Sequence, residues 1–371
     1  MTTLAGARIA DAPEASAITV RDGRITAIDD HIDGDRIDVS GLTVGPGLID
    51  LQTNGAYGED FTDDPTSIWR VGARLPEQGV TAFLPTIITS PPETIHAAQK
   101  VLAGRPADYR GAEPLGLHLE GPMISPHRPG VHDPSLIRQP SSEMIEGWTA
   151  QAGVAMVTLA PELEKAGTVV KALVVAGVVV SAGHSAADYE QAMTGFGWGI
   201  TAATHLFNTM EPFHHRSPGL IGAVFDHPGV VAGMIVDGIH THPATVRAAW
   251  KLLGPTRLAL VTDSMAAAGL GDGEYVIGSS SVHVVDGRAS DSNRRLAGST
   301  LTLDQAVRNL VEFTGCTADQ AVAAASSVPA QVLGLDDRGR LSVGGRADLA
   351  MFDSSMRVAA TMVGGEMVWR S

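Results

Sequence analysis

The chain has 371 residues, a net charge of −15, 44% hydrophobic residues and 18% charged residues. That length suits a barrel with an added small domain, and the composition supports a large core and excludes wholesale disorder. The acidic balance argues against a nucleic-acid binder, which needs a basic footprint. It does not exclude a small anionic substrate, because a few local donors outweigh a distant field. No apolar run reaches the roughly 18 residues that span a bilayer. The N-terminus lacks a basic region followed by an apolar segment, so no signal peptide is expected. A single cysteine, Cys316, rules out an intramolecular disulfide and reads as a packing residue near a helix end. A cytoplasmic compartment fits.

In chain order, residues 1–45 read as short strands with tight turns. Residues 18–28 form a strand, an Asp22-Gly23 turn and a second strand, a strong hairpin signal. The middle alternates apolar runs with helical stretches such as 67–78 and 186–194. Eight strand candidates fall at 44–51, 80–88, 114–120, 154–160, 176–182, 199–205, 230–236 and 257–262. Eight βα units on about 280 residues predict a (β/α)8 TIM barrel. The glycine-rich stretch 269–273 has no helix pattern after it and reads as a flexible loop. The C-terminus returns to strands at 349–352, 358–363 and 367–369, separated by polar turns and Gly364-Gly365. Both termini therefore predict one small β domain, 1–45 with 340–371, around a catalytic barrel at 46–339.

Four of the apolar runs close on an acid or a histidine. Glu120 ends Pro114-Leu-Gly-Leu-His-Leu-Glu120, and His184 follows Val178-Val-Val-Ser-Ala-Gly. His205 ends Gly199-Ile-Thr-Ala-Ala-Thr-His205, and Asp263 ends Arg257-Leu-Ala-Leu-Val-Thr-Asp263. In a parallel barrel the strand ends meet at one face, where catalytic residues sit. One Glu and two His supply three metal ligands and leave a fourth position open, as in catalytic zinc sites. Zinc suits this set; iron, cobalt or manganese fit the same ligands. Asp263, at the eighth strand end, is the expected general base and acid.

Only four lysines occur, at 100, 165, 171 and 251, and none ends a predicted strand. The first strand ends Asp50-Leu-Gln52-Thr-Asn54 and lacks a His-x-His pair. Both absences favour one metal over a bridged pair. After His205 come Asn208 and Thr209, then Glu211 and a His214-His215-Arg216 run. Beside a metal, that loop reads as an anion clamp: Arg offers paired charge-assisted bonds, and backbone N–H groups near Asn208 and Thr209 add donors. His240 is a further donor. His132, in the loop after Glu120, is placed to polarise a carbonyl. Phosphate-loop, zincin and nucleophile-elbow motifs are absent.

The motifs His118-Leu-Glu120-Gly-Pro122, Ser181-Ala-Gly-His184-Ser185, Ala203-Thr-His205-Leu-Phe-Asn208 and Leu260-Val-Thr-Asp263 resemble the N-acetylglucosamine-6-phosphate deacetylases of the amidohydrolase superfamily. Leu296-Ala-Gly-Ser-Thr300 and the segment 339–349 match as well. The resemblance implies a metal-dependent barrel with a β domain from both termini, acting as a homodimer on a sugar phosphate. It implies Glu120, His184 and His205 as metal ligands, Asp263 as base and acid, and His132 as carbonyl polariser. It assigns the phosphate to Asn208 and the backbone at Thr209. Arg216 and His240 match positions that reach the substrate phosphate of the neighbouring subunit. Gln52 matches the single-metal form. The alternatives are the same chemistry on N-acetylgalactosamine 6-phosphate, a cyclic-amide amidohydrolase, and a catalytically silent sugar-phosphate sensor.

Overall fold

The computed structural model describes residues 1–10, 12–278 and 280–371. A nine-stranded parallel sheet supplies the barrel. Its strands are β1 (Leu48–Thr53), β2 (Val80–Ile88), β3 (Leu117–Glu120), β4 (Val154–Leu159), β5 (Val179–Ala182), β6 (Ala202–Ala203), β7 (Val231–Met234) and β8 (Leu258–Leu260). The ninth, Glu113–Pro114, is a spur paired to β2. All eight predicted strands are present, most of them shorter than the apolar runs that announced them. Nearly every residue in them is buried, as expected for a parallel sheet covered by helices.

The seam between β8 and β1 is closed mainly by side chains. Asp50 on β1 accepts from the Thr262 N–H (3.2 Å) and hydroxyl (2.5 Å) just past β8. The Asp263 N–H then donates to the Gln52 carbonyl (2.9 Å), and Thr53 bridges to Ser264. This seam brings residues some two hundred positions apart to one rim.

The outer helices are α1 (Ser67–Arg74), α2 (Pro92–Ala103), α3 (Ala166–Val175), α4 (Tyr189–Trp198), α5 (Gly219–Asp226), α6 (Pro243–Leu253), α7 (Leu303–Thr314), α8 (Ala318–Ala324) and α9 (Ser327–Val332). The predicted 67–78 helix tightens to 3-10 form at Leu75–Gln78, where Pro76 has no N–H to continue the α ladder. The predicted 186–194 helix begins later, because Asp188 caps it through the Gln191 N–H in a capping box.

One expectation is corrected: no α-helix joins β3 to β4, and residues 121–153 form turns and one short 3-10 stretch. The stretch 269–272 is turn and irregular chain, and it leads into a three-stranded antiparallel sheet that was not expected, Gly273–Ile277, Ser280–Val285 and Arg288–Asp291. Its apolar face, Ile277, Val282, Val284 and Ala289, packs on Ile88 and Met265 above the barrel mouth. Strand alternation at Val282 and Val284 and the Asp286-Gly287 turn signalled it.

Both termini build a small β-sandwich. Thr2–Ala5, Ala17–Arg21, Arg24–Asp29 and Asp35–Asp38 form one sheet. The expected hairpin is present, with Asp22 and Gly23 at positive φ. Arg8–Ile9, Thr43–Pro46, Leu349–Phe352, Val358–Val363 and Glu366–Arg370 form the other sheet. Leu4, Ile18, Ile25, Val44, Leu349 and Met351 share one buried cluster between the two.

Candidate active site

Glu120, His184 and His205 stand at the ends of β3, β5 and β6 and are almost fully buried. His184, His205 and Asp263 all adopt positive φ, 46°, 31° and 48°. Such backbone costs about 1–3 kcal/mol per residue and concentrates at functional sites. It turns each side chain from the strand end into the mouth. Gly130, at φ +58°, packs against His184; a Cβ there would lie 3.1 Å from His184 Cε1.

The candidate ligating atoms converge. Glu120 Oε1 lies 3.1 Å from His184 Nε2 and 2.9 Å from His205 Nε2, and the two nitrogens are 3.2 Å apart. His184 Nδ1 donates to the Arg128 carbonyl (2.9 Å), so in the neutral ring Nε2 carries a lone pair facing the carboxylate. Acceptors this close repel unless a cation or protons stand between them. Two imidazoles and a carboxylate are the donor set of a borderline divalent cation, and the residues fit one.

Asp263 faces this cluster. Gln52 Nε2 donates to Asp263 Oδ1 and to Glu120 Oε1 (3.1 Å each), and Asn54 Nδ2 donates to Asp263 Oδ1 (2.7 Å). Both donors take the same oxygen and leave Oδ2 without a hydrogen-bond partner among the described residues. Burial and the nearby Glu120 charge push the Asp263 carboxyl up to about 6. Gln52 thus ties Asp263 to Glu120, and Asn54 anchors Asp263 alone.

His132 is buried beside them, its Nε2 3.7 Å from Glu120 Oε2. The Thr89 N–H donates to His132 Nδ1 (3.3 Å), and the Thr89 hydroxyl lies 2.7 Å from the same nitrogen. Nδ1 is therefore an acceptor, and the ring proton sits on Nε2, aimed into the site. Burial and the neighbouring His184 push this imidazole down to about 3, so it remains a neutral donor.

A cavity of about 270 Å3 opens over these groups. Its walls include Glu120, His132, His184, His205, Asn208, Thr209, His240 and Asp263, with Ile277, Arg295 and Leu296 from the three-stranded insertion and the loop after it. Asn208 and Thr209 reach it as expected. His240 lines the cavity of its own chain: its Nδ1 is held by Asp237 Oδ2 (2.7 Å) and its side chain is 6% exposed. Arg216 is not brought to this cavity. The loop 211–217 turns outward, and Arg216 Nη1 bonds His215 Nε2 (2.9 Å) in solvent, with the His214 ring tilted at 43° against that of His215. The clamp expected beside the metal is therefore absent from the chain's own site. Glu211 forms an ion pair with Arg128, whose carbonyl holds His184. Arg295 is the charged lining residue that sequence reasoning missed. Asp291 Oδ2 accepts from its Nε (2.8 Å), and its sole sequence signal was its place beside the Leu296–Thr300 motif.

A (β/α)8 barrel with two histidines, a glutamate and an aspartate gathered at its mouth is the architecture of a metal-dependent hydrolase. The Amidohydrolase family profile matches residues 43–368. The chain is 41% identical over 350 residues to the N-acetylglucosamine-6-phosphate deacetylase of Mus musculus, covering 90% of this chain and 85% of the mouse protein. The crystal structure of that deacetylase from Pasteurella multocida superimposes with a TM-score of 0.93 at 34% identity, covering both chains completely. A mutant of the Mycobacterium smegmatis enzyme, in complex with N-acetyl-D-glucosamine-6-phosphate, superimposes with a TM-score of 0.89 at 34% identity, covering 99% of each chain. The chain belongs to the amidohydrolase family, among its N-acetylglucosamine-6-phosphate deacetylases. The family is metal-dependent, and no helix among the described residues is long and apolar enough to cross a membrane.

Proposed function

We propose that the chain hydrolyses N-acetyl-D-glucosamine 6-phosphate to D-glucosamine 6-phosphate and acetate, in amino-sugar catabolism or recycling in the cytoplasm. The observation that carries this is the free Asp263 Oδ2 beside the Glu120, His184 and His205 cluster, under a cavity of sugar-phosphate size. One divalent ion per subunit, zinc by preference, would be held by Glu120, His184 and His205 and would supply Lewis-acid polarisation and acidification of water. Asp263 accepts the proton of the attacking water and passes it to the departing amine. The His132 Nε2–H donates to the carbonyl oxygen as charge builds there; a single such donor is worth about 10²–10³ in rate. Asn208, the backbone at Thr209 and His240 hold the sugar phosphate. In this reading residues 46–339 carry the catalysis, and 1–45 with 340–371 form the small β unit.

The protein acts as a homodimer in which Arg216 reaches the partner's substrate. Its exposure, with no acidic partner of its own among the described residues, supports that role. Arg216→Ala should raise KM for the phosphorylated sugar about tenfold or more, the scale of a charged hydrogen bond worth ~1.5–3 kcal/mol, with kcat little changed. Steady-state kinetics check this, and an unchanged KM removes Arg216 from the clamp.

Acetate release by the metal-loaded protein tests the whole reading. N-Acetylglucosamine 6-phosphate, its galacto epimer and the unphosphorylated sugar are run in parallel. Release from the first alone is expected. Equal release from the unphosphorylated sugar discards phosphate recognition. No release from the first overturns the assignment.

A further inference from the structure

One layer below the cluster lies a buried histidine that the chemistry above does not use. His118 Nδ1 is 3.0 Å from the Leu51 carbonyl, which can only accept, so Nδ1 carries the proton and Nε2 is the acceptor of the neutral ring. Nε2 lies 2.7 Å from the Thr158 hydroxyl, which must donate to it. Having given its one proton, Thr158 must accept from Thr204 (2.6 Å), and Thr204 in turn from Ser181 (2.6 Å). The backbone carbonyl of Leu51 thus imposes one direction on the whole buried chain: Ser181 to Thr204 to Thr158 to His118 to Leu51.

The members of this chain are placed with respect to the ligands. His118 precedes Glu120 by two residues on β3. Ser181 lies on β5, three residues before His184. Thr204 immediately precedes His205, and Leu51 adjoins Gln52. The three ligand-bearing strands are therefore cross-linked by one hydrogen-bonded layer, with Thr158 of β4 as the central link. Its packing leaves no slack: a Cβ on Gly183, beside His184, would lie 2.8 Å from both Thr158 Cγ2 and Thr204 Cβ.

We propose that this one-way hydrogen-bond chain is the positioning layer of the metal site, setting the spacing of Glu120, His184 and His205, with Thr158 and His118 as positioning residues. Groups hydrogen-bonded directly to a ligand typically tune metal affinity by about 10–100-fold; this layer acts through the strands that carry the ligands, so the lower end of that range is expected. The proposal rests on reading Glu120, His184 and His205 as the ligands, but it needs no assumption about substrate.

The test is zinc affinity of the metal-free protein, measured by competition with a chromophoric chelator. Thr158→Val keeps the side-chain shape and removes the central hydroxyl; zinc affinity should fall about tenfold or more. Thr158→Ser restores the hydroxyl and should restore the affinity to within about threefold of the parent. Ser181→Ala removes only the outermost donor and decides the matter should Thr158→Val fail to fold; a loss of about threefold or more is expected. Unchanged affinity in folded Thr158→Val, or in Ser181→Ala should the former not fold, overturns the proposal. So does a Thr158→Ser as impaired as the valine. A parent protein that takes up no divalent metal overturns the ligand reading itself.

Discussion

Asp263→Asn should leave the barrel and its metal content intact and lower kcat by about 10²–10⁴-fold, the usual scale of a lost general acid–base group. The replacement is nearly isosteric. Its carbonyl oxygen can keep both donors that now fix Oδ1, Gln52 Nε2 and Asn54 Nδ2. The oxygen that changes is the free one: an amide nitrogen takes the place of Oδ2, and it donates where the reaction needs an acceptor. The variant should melt near the parent temperature and bind the same amount of metal. Turnover within a few-fold of the parent would remove Asp263 from the role of base and acid. The clean separation of one anchored and one free carboxylate oxygen makes this the sharpest test of the mechanism.

Glu120→Ala should abolish measurable turnover through the metal. Glu120 Oε1 is the atom that both imidazoles face, so its loss removes the anionic ligand of a three-ligand site. The drop in metal affinity should exceed the ~10–100-fold typical of a lost outer partner. Stability supplies an independent readout. A ligand that binds only the folded state raises the melting temperature by mass action. Added divalent metal should therefore stabilise the parent and leave the variant unmoved. In calorimetry, a variant that is stabilised by metal as strongly as the parent would show that Glu120 is no ligand.

Much of the site was legible because ligand-type residues punctuate apolar runs. A parallel strand buried on both faces reads as a continuous apolar stretch, so a carboxylate or imidazole at its end stands out against it. Glu120, His184, His205 and Asp263 were visible in that way, and the cavity contains all four. His132, Asn208 and Thr209 lie in the loops that follow such strands and reach the same cavity. The hairpin at Asp22-Gly23 was legible for a different reason: two consecutive positive-φ positions need a local sequence that tolerates them.

Other features were not local. The His240 ring lines its own chain's cavity because the Asp237 carboxylate holds it there. Arg216 sits in a loop whose outward course is set by its own turn at His214 and Ser217. Arg295 became a wall of the cavity only because the 273–291 sheet folds back over Ile88 and Met265.

By itself, then, the sequence determined the barrel, the terminal β-sandwich, and the identity and order of the groups gathered at the mouth, because strand length, turn chemistry and residue type are local properties. Tertiary structure decided which oxygen of Asp263 is free, which nitrogen of His132 carries its proton and which strands the His118 layer ties together. Those depend on pairings such as Gln52 with Asp263 and Asp50 with Thr262, contacts that exist only once the barrel seam has closed.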